Sequence, residues 1–129
     1  MSKAIAMMLA MILGGHGLLG LFIEGEPFMR FNMDFALDLV HLGSAAVLIA
    51  VSRERASDPA VRAGLLLVAG LQIGTGLLGM ADRHLLGLAP TGLQQFDFLL
   101  TFGLGSAALL GAILPRAERN IWEVSGAAE

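Results

Sequence analysis

The chain has no cysteine and no tyrosine, one tryptophan, four prolines and three histidines in 129 residues. Without cysteine there is no disulfide, no thiolate metal ligand and no thiol nucleophile, which removes several enzyme and zinc-site classes but leaves the redox compartment open. Charge is also scarce. Charged residues make up 15% of the chain, against about 25% in soluble domains. A net charge of −3 gives no basic footprint for nucleic acid. No nucleophile sits beside a base at a catalytic spacing, so the sequence is read as non-enzymatic.

Hydrocarbon takes the place of what is missing. The chain is 56% hydrophobic, and four apolar runs, 4–23, 35–52, 61–81 and 96–114, each approach the ~20 residues that cross a bilayer core as a helix. Residues 1–129 are therefore expected to form a single all-α domain, an integral membrane antiparallel four-helix bundle. Lys3 followed by an apolar run has the outline of a secretory signal. That run exceeds an h-region and no A-x-A site follows, so it is read as the first span. Lys3, Arg53, Arg55, Arg62, Arg116 and Arg119 fall on one side and only Arg30 and Arg83 on the other. The positive-inside rule then places both termini on the cytoplasmic side, with an inner (cytoplasmic) membrane as the expected location. Trp122 is expected to anchor the tail at the inner interface.

Two segments recur. GHGLLG at 15–20 returns as GTGLLG at 74–79, and HLGSAAVLIA at 41–50 returns as GLGSAALLGA at 103–112. These predict a tandem duplication of a two-span unit, hence two hairpins in the same orientation forming a pseudo-symmetric, parallel-repeat bundle. Small residues at i, i+4 steps supply packing faces: Ala6, Ala10 and Gly14; Gly103, Ala107 and Gly111; and the pair Gly70 and Gly74.

Polar residues also follow helical steps. Asp34, Asp38, His41 and Ser44 share one face of the second span. Gln72, Thr75, Gly79 and Asp82 do so on the third, Gln94, Asp97 and Thr101 on the fourth, and His16, Gly20 and Glu24 on the first. Ionisable groups in a span normally face the bundle interior or a wet cavity. The stripes are expected to converge on a polar vestibule in the outer half, above an inner half of pure hydrocarbon. Ser44, Gln72 and Ser106 would tie its floor together, and such a blind site argues against a channel or pump within one chain.

His16 and His41 fall at matching depth on adjacent spans. Such a pair is a candidate ligand set for a b-type haem or a pigment, with nearby glycines leaving room for a macrocycle. Asp38 with His41 at i, i+3 is a candidate metal pair. The plainer reading is a structural cluster in which Asp38 accepts a hydrogen bond from His41. In the second copy Thr75 replaces His16 and Gly103 replaces His41, so any histidine site occurs once. His84 reads as interfacial.

ALDLVHLGSAA at 36–46 and PTGLQQFDFLLTFGLGSAA at 90–108 resemble the helix starts of a family of four-span prokaryotic membrane proteins of unknown function, whose members repeat an N-x-x-H/D start followed by His-Leu and a small-residue run. The resemblance implies a four-span fold and no particular activity. The function expected from the residues is an accessory or scaffold subunit of a larger membrane complex, partnered by lipid and by other subunits or further copies of itself. Two alternatives stay open: a haem-, pigment- or metal-binding electron-transfer or sensor protein, and a small oligomeric transporter.

Overall fold

The computed structural model describes residues 2–23, 31, 33–53 and 55–114, and these are all-helical with no strand among them. Four long helices follow one another: α1 (Ser2–Phe22), α2 (Phe35–Ser52), α3 (Asp58–Ala81) and α4 (Gln95–Ile113). At 1.5 Å per residue they are about 27–36 Å long, and each is long and apolar enough to cross a membrane. Glu24, Arg30, Arg116, Arg119 and Trp122 lie outside the described residues.

Capping explains why α3 begins three residues before its hydropathy does. Ser57 is its N-cap, accepting the Ala60 N–H at 3.4 Å, and Pro59 lies in the first turn. Its fixed φ suits that position and its missing N–H is not needed there. At the other end of α3 the chain turns tightly through Leu85 and Leu86, both at positive φ. The Asp82 carboxylate accepts the backbone N–H groups of His84 and Leu86, each at 2.9 Å, and so holds this turn.

α1 packs along α2 and α3 along α4, with a smaller α2–α3 contact and a thinner one between α1 and α4. Glycine sets the close approaches. A Cβ at Gly17 would lie 2.9 Å from the Asp38 carbonyl oxygen, and one at Gly76 would lie 2.9 Å from Thr101 Oγ1. The small-residue ladders behave differently from one another. Ala6 and Ala10 are buried and Gly14 faces Ala45. Gly111 packs on Ile5, but Gly103, Gly70 and Gly74 meet nothing.

The interior divides by polarity. Ala6, Leu9, Leu48, Leu65, Val68 and Ala108 belong to a hydrocarbon core in the half near Arg53. The half near the 85–93 turn holds the buried polar residues, and there Leu85, Ala89 and Leu93 form a small apolar cluster with Phe98 packed against it. The outer surface is apolar, with Met11 at 64%, Met80 at 69% and Leu99 at 68% exposure. Such an exterior suits hydrocarbon and would be an aggregation surface in water.

Candidate metal centre

Helical steps of three and four bring the α2 stripe inward as a unit. Asp34, Asp38, His41 and Ser44 are all buried, as are Gln72 on α3 and Asp97 and Thr101 on α4. They form a packed polar core, so the expected open vestibule is corrected on this point. Thr75 and Asp82 stay partly exposed. The Thr75 hydroxyl turns back to the Leu71 carbonyl at 2.8 Å and is satisfied within its own helix. Ser106 is exposed and takes no part in the floor. Only Gln72 and Ser44 make that tie, Nε2 donating to Oγ at 3.2 Å.

Several of the acids have local work. Asp34 Oδ2 accepts both the Thr91 backbone N–H, at 2.9 Å, and its hydroxyl, at 2.8 Å, fastening α2 to the turn before α4. Thr91 had no signal in the sequence, because its partner lies 57 positions away. Asp97 accepts the Gln94 N–H at 2.6 Å and so caps α4, and Thr101 donates back to the Asp97 carbonyl at 2.8 Å. The Asp82 carboxyl is held below its ordinary range by the N–H bonds from His84 and Leu86. His84 is exposed, its Nδ1 lying 3.2 Å from the Ala89 carbonyl oxygen.

His16, Asp38 and His41 meet between α1 and α2. One donor atom from each lies within 4.8 Å of the others. The imidazoles touch edge to face, centroids 4.8 Å apart at 76°. Phe31 lies edge-on to His16 at 4.9 Å and tilts over Phe96 at 5.4 Å, covering the cluster toward α4. Among the described residues neither ring nitrogen of His41, nor Nε2 of His16, has a hydrogen-bond partner. That is unfavourable for a structural cluster, since an unsatisfied buried polar group costs about 1–3 kcal/mol. It also means that the expected hydrogen bond from His41 to Asp38 is not made.

The two ligand classes can be separated by space. Imidazoles on opposite faces of a haem iron need ring centres about 6 Å apart, given metal–nitrogen distances of about 2 Å. Here the rings are in contact and α1 meets α2 through glycine, so no macrocycle lies between them. A bare ion fits better. Donors on one ion lie at most about 4.4 Å apart, twice the usual metal–ligand distance, so side-chain adjustments of about an ångström bring all three onto it. Two imidazoles and a carboxylate form a borderline donor set that suits zinc, iron, nickel or copper rather than magnesium or calcium.

No family profile, curated protein or solved structure matches this chain.

Proposed function

We propose that this chain is a non-enzymatic integral membrane protein that binds one transition-metal ion through His16, Asp38 and His41. The observation that carries the reading is the convergence of these three side chains, with both ring nitrogens of His41 and Nε2 of His16 left without hydrogen-bond partners among the described residues. Three protein donors leave at least one position open, as in ion sites that exchange ligands and unlike closed structural ones. Purified protein stripped with chelator and dialysed against Zn2+ in detergent should bind one ion per chain, and His41→Ala should bind none. Equal binding by the two proteins would refute the site.

The membrane arrangement we propose is an antiparallel bundle of two like hairpins with both termini in the cytoplasm. Burial supports the duplication. Ala6, Leu9, Ala10, Leu13, Gly17 and Gly20 on α1 recur at the same steps as the buried Leu65, Val68, Ala69, Gln72, Gly76 and Gly79 on α3. Leu37, His41, Ala45 and Leu48 on α2 recur likewise as Asp97, Thr101, Gly105 and Ala108 on α4. In this register Thr101, rather than exposed Gly103, stands where His41 does. The second hairpin then offers Thr75, Phe98 and Thr101 in place of the three donors, and the ion site occurs once.

An accessory role in a larger membrane assembly is a second reading, favoured by a separate observation. Gly70 and Gly74, a GxxxG pair, have no neighbour within 4 Å of where a Cβ would stand. A bare small-residue face in lipid suits a further helix. Gly70→Cys should then form an intermolecular disulfide in native membranes on mild oxidation, whereas Met11→Cys, exposed on α1 away from this face, should not.

A further inference from the structure

α1 crosses α2 at Gly17 and Gly20, and the two glycines meet different parts of α2. A Cβ on Gly17 would press on Leu42 Cγ at 2.8 Å and on backbone, 2.9 Å from the Asp38 carbonyl oxygen and 3.2 Å from the Leu42 nitrogen. A Cβ on Gly20 would instead overlap all three carboxylate atoms of Asp38, its Cγ, Oδ1 and Oδ2. The first glycine sets how closely the helices approach. The second makes the room in which one side chain stands.

Resting on the metal reading above, the geometry points to Gly20 as a positioning residue for the site, which we infer fixes the Asp38 carboxylate toward His16 and His41. Asp38 and His41 share one face of α2, and His16 is one turn before Gly20 on α1. The carboxylate therefore stands with Gly20 behind it and the histidines beside it. Any side chain at Gly20 would take the volume the carboxylate occupies. The carboxylate is the free end of a side chain, so it would swing aside before the backbone moved. Gly79 is the control. It lies on α3 at the step that matches Gly20, but a Cβ there meets Leu93 Cδ2 and Phe98, which carry no donor atom.

Co2+ is the probe, titrated into chelator-stripped protein in detergent while its d–d absorption and the unfolding temperature of the metal-free form are followed. Gly20→Ala should bind Co2+ about tenfold to a hundredfold more weakly, the range seen when a residue that orients a ligand is lost. Its absorption band should also change shape, which a loss of general stability would not cause. Gly79→Ala should keep both affinity and band. Unchanged binding by Gly20→Ala, with wild type binding normally, would overturn the role of Gly20 and leave the metal site standing. Failure of the wild type to bind Co2+ would overturn both. If Gly20→Ala does not fold, Gly20→Ala with Asp38→Ala decides: recovered folding places the conflict at the carboxylate, and continued failure refutes the inference.

Discussion

At the scale of the residue, the polar side chains fall into those tied to the backbone and those left facing one another. Asp34 belongs to the first kind. Removing its carboxylate strands two donors on Thr91, and charge-assisted bonds of this type contribute about 1.5–3 kcal/mol. Asp34→Ala should therefore lower stability by about 2 kcal/mol in chemical unfolding from detergent. Gln72→Leu should cost less, because it removes one interhelical bond of the sort that averages ~0.6 kcal/mol in membranes and also removes Gln72 Oε1, which has no partner among the described residues. A larger loss for Gln72→Leu would mean that the tie to Ser44 matters more than the Asp34 latch. The sequence made the buried set on α2 legible, since spacing alone places Asp34, Asp38, His41 and Ser44 on one face. It could not sort them. Whether an acid is a latch, a cap or a ligand depends on partners brought by another helix, and Thr91 is far from Asp34 along the chain.

At the scale of the element, four helices were legible because hydrocarbon runs of bilayer length have few alternatives to helix. Their ends were less so, because hydropathy does not register caps: Asp58 opens α3 ahead of its apolar run through Ser57 and Pro59. The floor was half legible. Ser106 lies on the exposed side of α4; matching HLGSAAVLIA to GLGSAALLGA pairs it with Ser44, but that match is two residues out of step with the buried positions of α2 and α4. The 85–93 turn gives a test of pH dependence. The Asp82 carboxyl titrates below its ordinary value because the folded turn donates two N–H groups to its charged form. Its contribution is therefore complete above the unfolded value, ~3.9, and is lost as pH falls through the lower folded value. Asp82→Ala should speed amide exchange at His84 and Leu86 near neutral pH, and the difference from wild type should vanish at strongly acid pH. Equal exchange in the two proteins near neutral pH would assign the protection to the backbone geometry of the turn instead.

At the scale of the whole molecule, a hydrocarbon core in one half and buried polar residues in the other make the two ends of the four helices unlike. The arginine distribution proposes which end faces the cytoplasm. In the cysteine-free chain, Leu86→Cys should react with an impermeant thiol reagent added outside intact cells and Ser57→Cys should react only after lysis. The reverse pattern would turn the polar half to the cytoplasm without disturbing the site itself. The site was visible in the sequence as two histidines at like depth and an acid one turn away. What the sequence could not supply was the distance between them, and distance is what favours an ion over a macrocycle. X-ray absorption at the zinc edge of the Zn2+-loaded protein reads that coordination directly. Two imidazole nitrogens and a carboxylate oxygen at about 2.0–2.2 Å, in a shell of four or five light atoms, is the result predicted. An oxygen-only shell without imidazole scattering would contradict the centre proposed at His16, Asp38 and His41.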